Sequence, residues 1–134
     1  MTPALKFEYK VKLDDLDYMQ IVGNGNWMIF LERARIEMLE KIGFPFTEMK
    51  KRQIGGVVAE AAVTFKRPAE FNDALIIEIT PHTPFEKGAG LKYRITNQRG
   101  HECLLADLRM VFVDATGRPT DMPAEIKEKL FTSS

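Results

Sequence analysis

Three aspartates stand within a few positions of one another near the N-terminus, at Asp14, Asp15 and Asp17. Carboxylates that precede a helix usually satisfy its free N–H groups, which is the ordinary interpretation of such a cluster. Asp17 fits it poorly, because the helix predicted below begins only near Asn26. The segment 18–22 that follows Asp17 is mainly apolar and predicts a packed loop. A carboxylate in a partly apolar pocket can act as nucleophile or general base toward an activated carbonyl.

The other reactive side chains give weaker indications of a catalytic or metal site. Both serines, Ser133 and Ser134, stand at the C-terminal end, so no serine-nucleophile motif is present. The histidines His82 and His101 and the single cysteine, Cys103, do not make up a zinc site of the usual kind. We therefore expect no metal and no cofactor. Three further carboxylates are expected to be solvated on a helix and a strand: Glu32, Glu37 and Glu60.

Length and charge restrict the class of protein. The 134 residues fit one domain, 1–134, and no linker divides them. The 19 basic and 19 acidic side chains cancel, which gives no general attraction to nucleic acid or to anionic membranes. No apolar run approaches the length of a membrane span, and a single cysteine fits a reducing compartment. We expect a cytoplasmic protein.

Hydrophobic periodicity predicts an α+β fold. Strict alternation over 6–13 predicts a strand, and apolar residues three and four apart from Trp27 to Ile42 predict a helix of about 17 residues. Four more strands are predicted at 55–68, 74–80, 91–98 and 102–114, with a short helix after Pro123. One helix and hairpin-length links favour an antiparallel five-stranded sheet wrapped around one long central helix. Apolar residues at outward positions, Leu105, Val111 and Val113, suggest a partner subunit.

The segment 14–43, "DDLDYMQIVGNGNWMIFLERARIEMLEKIG", resembles the signature of the 4-hydroxybenzoyl-CoA thioesterase family, which are hotdog-fold acyl-CoA thioesterases. That signature reads D-x-D-x-x-G-x-V-x-x-x-x-Y and continues into a helix with E-x-A-R. Two later segments are also similar to the family, "AAVTFKRPAEFNDALIIEI" (61–79) and "ADLRMVFVDATGRPTDMPAEI" (106–126). The resemblance covers nearly the whole chain.

The resemblance implies hydrolysis of an acyl-CoA, or of an acyl carrier protein thioester, to a free acid and a thiol. Asp17 would act on the thioester carbonyl as nucleophile or general base, and a backbone N–H near Asn24 would polarise the carbonyl oxygen. Gly55 and Gly56 would approach the thioester from across a subunit interface, in a homodimer or homotetramer. Lys87 would meet the CoA phosphates.

Departures from the family pattern fall near the proposed site. Gln20 stands where the signature has glycine, and Ile21 replaces a small or polar residue. Trp27 replaces the common tyrosine, which would narrow or flatten the acyl pocket, and Glu86 beside Lys87 interrupts the basic pattern.

Two other functions stay open on the residues alone. A hydroxyacyl-thioester dehydratase would share the fold but needs a histidine at the helix entry, and both histidines lie far downstream. A non-catalytic acyl-ligand binder or structural oligomer would not need Asp17.

Overall fold

The α+β architecture predicted from the sequence is confirmed. The structure, a computed structural model, describes residues 5–131. Five strands and three α-helices follow one another along the chain: β1 (Leu5–Lys10), α1 (Asn24–Lys41), α2 (Phe46–Arg52), β2 (Ile54–Phe65), β3 (Ala74–Phe85), β4 (Gly88–Thr96), β5 (Glu102–Asp114) and α3 (Ala124–Phe131). None of these helices is both long enough and apolar enough to cross a membrane.

The five strands form one sheet in the order β1-β3-β4-β5-β2, and every neighbouring pair is antiparallel. β3, β4 and β5 follow each other through hairpins, whereas β2 lies at the far edge against the last strand. The second strand of the chain is therefore an edge strand, with one side of its backbone unpaired by any strand among residues 5–131.

The long helix α1 packs its apolar face into the core. Its buried residues are Trp27, Phe30, Leu31, Ala34, Met38 and Leu39. They recur at three and four positions, which is the spacing that places side chains on one helical face. Burial of each large apolar side chain stabilises the fold by about 1.5–3 kcal/mol. Gly43 follows the end of α1 and has φ of +93°, a left-handed conformation that residues other than glycine rarely adopt.

The short helix α2 was not predicted, because a glycine and a proline such as Gly43 and Pro45 usually end a helix instead of starting another. Pro45 is the N-cap of a second helix of 7 residues, which Gln53 ends with φ of 57°. Arg52 in its last turn donates to Glu48 Oε1 at 3.1 Å and to Glu125 Oε2 at 2.8 Å. The second contact ties α2 to α3.

Strand limits differ from the alternation pattern where backbone geometry changes. β1 ends at Lys10 instead of continuing to Leu13, because 13–15 form a 3-10 turn. β3 continues beyond residue 80 to Phe85 although Pro84 lies within it. β2 contains a register shift between Val58 and Glu60, which reverses the face that its side chains take.

Candidate active site

Asp17 opens a tight turn that leads into α1. Leu16 and Val22 pair as an antiparallel bridge on either side of it. The Asp17 N–H donates to the Ile21 carbonyl at 2.8 Å, and the Gln20 N–H donates to the Asp17 carbonyl at 3.0 Å. Gln20 has φ of 62°, the left-handed conformation that glycine adopts most easily. The chain therefore makes, with glutamine, the turn that glycine would make at lower cost.

The Asp17 side chain lies against the residue that caps α1. Its Oδ1 accepts a hydrogen bond of 2.8 Å from the Met19 N–H. A Cβ added to Gly23 would lie 3.6 Å from the Asp17 Cβ and 3.9 Å from Oδ2. Gly23 is the N-cap of α1. One carboxylate oxygen is thus held by the turn, and the other faces the helix entry.

The prediction of a packed loop after Asp17 is wrong for its first half. Tyr18 is 93% exposed and Met19 is 63% exposed, whereas Val22 is buried. The tight turn directs the first two side chains outward, because only the residues that re-enter the antiparallel bridge meet the core. Asp17 itself is also exposed to solvent in the single chain.

Asp15 has a structural role that separates it from Asp17. Its buried Oδ2 accepts a hydrogen bond from the Tyr9 hydroxyl at 2.6 Å and another from the Lys12 N–H at 2.8 Å. Burial first, and then the bond to Asp15, raises the pKa of Tyr9 from 10.0 to about 12. The Asp15 carbonyl accepts from Asn26 Nδ2 at 2.7 Å, which fastens the turn to α1. The prediction that Asp15 belongs to the turn is consistent with these contacts.

The start of α1 lies beside the Asp17 turn. The Asn26 and Trp27 N–H groups already bond to the Gly23 carbonyl, at 3.0 and 3.1 Å, so a backbone donor for a ligand would have to come from an earlier position. Asn24, the first helical residue, comes before these donors and is exposed. No acidic residue of α1 lies in this turn, and Gly23 offers no side-chain cap. The positive end of the helix dipole is therefore available to an anionic oxygen beside Asp17.

Trp27 is placed in the core. It is 3% exposed and meets Phe30 edge-on, with 5.7 Å between ring centroids. Phe30 in turn contacts Tyr9, with centroids 4.6 Å apart. The ring thus supports the helix entry from beneath, and its effect on an acyl pocket stays a prediction.

Gly55 and Gly56 open β2 at a groove of about 600 Å³ between α1, α2 and β2. The groove also has Arg35 and Leu39 of α1 and Met49 of α2 in its lining. Arg35 follows Asn24 by three turns of helix, which is roughly 16 Å along the axis. Gly56 also shares a second groove with Met28 in the first half of α1, but Asp17 lines neither groove.

The two glycines differ in the space around them. A Cβ at Gly55 would meet no atom within 4 Å among the described residues. A Cβ at Gly56 would lie 3.1 Å from Met110 Sδ. The fold itself does not require glycine at position 55, so any requirement there must come from something that approaches the groove.

Lys87 lies in the turn between β3 and β4 and is already paired. Its Nζ lies 2.6 Å from Asp121 Oδ1 and 3.6 Å from Glu86 Oε1. The bond to Asp121 raises the pKa of Lys87, so its positive charge is retained but balanced by two carboxylates. A phosphate would compete with Asp121 for this ammonium group.

The histidines do not lie at the helix entry that a dehydratase would need. His82 is on β3, where its Nε2 lies 2.8 Å from Asp107 Oδ1 of β5. His101 is exposed just before β5. Of the predicted site residues, the structure places Asp17 beside the start of α1, the helix turn that carries Asn24 and Trp27.

Comparison with known proteins places these features in a family. The Thioesterase-like superfamily profile matches residues 11–130. The chain belongs to this superfamily. The match covers the Asp17 turn, the central helix and all strands from β2 to β5.

Individual relatives agree with this membership. The chain is 27% identical over 128 residues to the acyl-CoA thioester hydrolase YbgC of Escherichia coli O6:H1, covering 93% of this chain and 94% of YbgC. Its fold is similar to that of Slr0204, a 1,4-dihydroxy-2-naphthoyl-CoA thioesterase from Synechocystis, with a TM-score of 0.88, 15% identity and 97% of both chains covered. It is equally similar in fold to SAV2348 of Staphylococcus aureus, solved in complex with CoA, with a TM-score of 0.88, 13% identity and coverage of 96% and 82%. The predicted hotdog fold is confirmed.

Proposed function

We propose that the protein hydrolyses an acyl-CoA thioester to a free carboxylic acid and CoA. The observation that carries the proposal is the position of the Asp17 carboxylate beside Gly23, at the uncapped start of α1. Membership of the Thioesterase-like superfamily supports it, as does the name of the relative YbgC. Within the superfamily, the D-x-D signature favours the 4-hydroxybenzoyl-CoA thioesterase type.

The chemistry requires a carboxylate and an oxyanion site. As nucleophile, Asp17 attacks the thioester carbonyl carbon, the C–S bond breaks, the thiolate leaves, and water hydrolyses the resulting anhydride. As general base, Asp17 takes a proton from a water molecule that attacks the same carbon, the C–S bond breaks, and the departing thiolate takes the proton from Asp17. In both routes negative charge develops on the carbonyl oxygen. The free N–H near Asn24 and the helix dipole would stabilise that charge.

A second copy of the chain would complete the site. Gly55 and Gly56 line no groove together with Asp17 of their own chain, and they open the edge strand β2. Val57 and Val58 of this strand are 43% and 36% exposed. Pairing of this apolar edge with a second copy would remove a long unpaired edge and could place one chain's glycines at the other's Asp17. The active unit would be a homodimer, or a homotetramer made of two such dimers.

The thioester would extend from this junction in two directions. The groove of about 600 Å³ beside Gly55 is large enough for an acyl or aryl group, and its α1 and α2 walls include Leu39 and Met49. Lys87 would meet a phosphate of CoA after Asp121 releases it. An acyl carrier protein thioester would use the same acyl groove but would not present the nucleotide of CoA.

A thiol-release assay tests the proposal. Purified protein is offered short-chain, long-chain and aryl acyl-CoAs and an acyl carrier protein thioester, with thiol and free acid both quantified. We expect stoichiometric release of thiol and acid from at least one acyl-CoA. Background rates on every thioester, together with tight acyl-CoA binding by calorimetry, would support a non-catalytic binder instead.

A further inference from the structure

A second cluster of reactive side chains lies on the outer face of the sheet, opposite α1. Leu75, Ile77 and Ile79 of β3 are buried on the inner face. His82 takes the opposite parity, and its ring contacts Asp107 of β5, which is exposed. The cluster is therefore separated by the sheet from the core that positions Asp17.

The hydrogen bonds of His82 define its tautomer. Nε2 lies 2.8 Å from Asp107 Oδ1, and Nδ1 lies 3.0 Å from the Thr83 hydroxyl oxygen. An ionised carboxylate only accepts, so in the neutral ring Nε2 carries the proton. Nδ1 then presents its lone pair to the Thr83 hydroxyl. The chain of contacts is a hydroxyl, an imidazole base and a carboxylate that orients the base.

The backbone is distorted where it brings the hydroxyl to the ring. His82 pairs with Gly90 and Phe85 pairs with Gly88, so two residues of β3 oppose one residue of β4. Such a bulge re-aims a side chain, and here it lets the neighbours His82 and Thr83 meet. Thr83 has φ of 45°, a conformation that glycine adopts readily and β-branched residues avoid.

Thr83 is the one β-branched residue with positive φ among the described residues. The other non-glycine residues with positive φ among residues 5–131 are two glutamines and an asparagine. Strained backbone of this kind costs about 1–3 kcal/mol and clusters at functional sites. Glycine would relieve the strain but would remove the hydroxyl, so threonine at this position retains a nucleophile at the expense of stability.

The cluster lines an open groove of about 410 Å³. His82 lies directly over Gly90, where an added Cβ would come within 2.4 Å of the ring. Arg109 also lines the groove, with its guanidinium carbon 4.6 Å from the Phe85 ring centroid. Arg109 Nη1 also lies 3.7 Å from Oε1 of Glu60, which lines the same groove. The groove thus offers space for a small acyl group, and a developing oxyanion would compete with Glu60 for the guanidinium group.

We propose that Thr83, His82 and Asp107 form a second nucleophilic site that takes short-chain activated acyl esters. Thr83 Oγ1 attacks the ester carbonyl carbon while His82 Nδ1 takes its proton. The C–O bond to the leaving alcohol breaks, and that alcohol recovers the proton from His82. The product is an acyl ester on Thr83, which water hydrolyses by the same path. Asp107 acts as a positioning residue that holds the ring and stabilises the imidazolium.

The test uses p-nitrophenyl acetate as probe, with release of p-nitrophenolate and the acylated peptide both measured. The unmodified protein should show a burst and an acetyl group on Thr83. The burst should persist in Asp17→Asn and in Thr47→Ala, which removes an exposed hydroxyl from α2. It should fall by roughly a hundredfold in Thr83→Gly and in His82→Gln. Thr83→Gly also relieves the backbone strain, so loss of its burst cannot be attributed to misfolding.

Two further variants separate the roles. Thr83→Ser keeps a hydroxyl and should retain the burst, whereas Asp107→Asn should shift its pH profile because the ring loses its orienting charge. The proposal is overturned if the unmodified protein shows no burst, if the acetyl group is found elsewhere, or if the burst survives Thr83→Gly. Loss of the burst in Asp17→Asn would assign the ester hydrolysis to the first site and would equally overturn it.

Discussion

The Tyr9 hydroxyl donates a hydrogen bond of 2.6 Å to Oδ2 of Asp15, two residues before the proposed catalytic carboxylate of Asp17. This bond joins β1 to the turn, and the Asp15 carbonyl joins the turn to Asn26 of α1. The separation between Asp17 and the helix entry is therefore set by contacts that Asp17 does not make itself. The position of Asp17 relative to α1 can therefore be tested through Tyr9 and Asp15.

Replacing Tyr9 by phenylalanine should destabilise the fold. The change removes a hydrogen bond to a buried carboxylate, and we expect the free energy of unfolding to fall by about 1.5–3 kcal/mol in urea titrations. Tyr18→Phe is the matched control, because Tyr18 is 93% exposed and should leave stability unchanged. Equal stabilities of the two variants would contradict the structural role of Asp15.

The same contact predicts a dependence on alkaline pH. Folding raises the pKa of Tyr9 from 10.0 to about 12, which favours its protonated form in the folded state. The resulting stabilisation is complete below pH 10 and is lost as the pH rises toward 12. Tyr9→Phe should lack this part of the decline when unfolding is followed at several pH values, and an unchanged slope would argue against the bond.

Gln20→Gly should stabilise the protein. A residue other than glycine in the left-handed conformation lowers the free energy of unfolding by about 1–2 kcal/mol. Glycine removes this cost, but it also raises the conformational entropy of the unfolded chain, which offsets part of the gain. We expect a net increase of less than about 1 kcal/mol in the free energy of unfolding. Met19→Gly in the same turn serves as control and should destabilise, since Met19 lacks the positive φ. A loss of stability in Gln20→Gly would mean that the turn is made differently.

Lys87 and Asp121 should affect CoA recognition in opposite directions. Lys87→Gln should raise KM for the acyl-CoA by roughly tenfold, about 1.4 kcal/mol, with little change in kcat. Asp121→Asn frees the ammonium group of Lys87 and should lower KM. An acyl-pantetheine thioester, which lacks the nucleotide, should respond to neither variant. If it responds to both as acyl-CoA does, Lys87 does not contact the phosphates.

Mixing two inactive variants should restore activity if the site is shared between chains. Gly55→Ala adds a Cβ that meets no atom of the described fold within 4 Å, yet it should block close approach of the thioester. After subunit exchange with Asp17→Asn, mixed dimers should carry one intact site and the mixture should regain about a quarter of the unmodified activity. No recovery despite demonstrated exchange would mean that Asp17 and Gly55 act within the same chain, and would contradict a site shared between subunits.

Periodicity predicted most of the fold because each element buries one face. The three-and-four spacing from Trp27 to Met38 and the alternation in β4 and β5 leave few other structures possible. The helix α2 was not predicted, because it has only 7 residues and follows a glycine and a proline, which usually end helices. The residues of β2 do not show that it is an edge strand, because its place in the sheet depends on how the other strands pair.

The candidate site was predictable only in part. The D-x-D signature singled out Asp17, but composition suggested a packed loop where Tyr18 is exposed. The pairing of His82 with Asp107 depends on the β3–β4–β5 register, which joins residues 25 positions apart in the sequence. The positive φ of Thr83 has no signature in the sequence at all, because threonine is an unusual residue for it.

The central claim is that the Asp17 carboxylate performs the chemistry of thioester hydrolysis. The most direct measurement compares kcat for Asp17→Asn and Asp14→Asn on the best acyl-CoA substrate. Asparagine can still accept the Met19 N–H bond, so the turn should persist and unfolding should be unchanged. We predict that Asp17→Asn lowers kcat by at least roughly a hundredfold, while Asp14→Asn stays near the unmodified protein. Full activity in a folded Asp17→Asn protein would contradict the account.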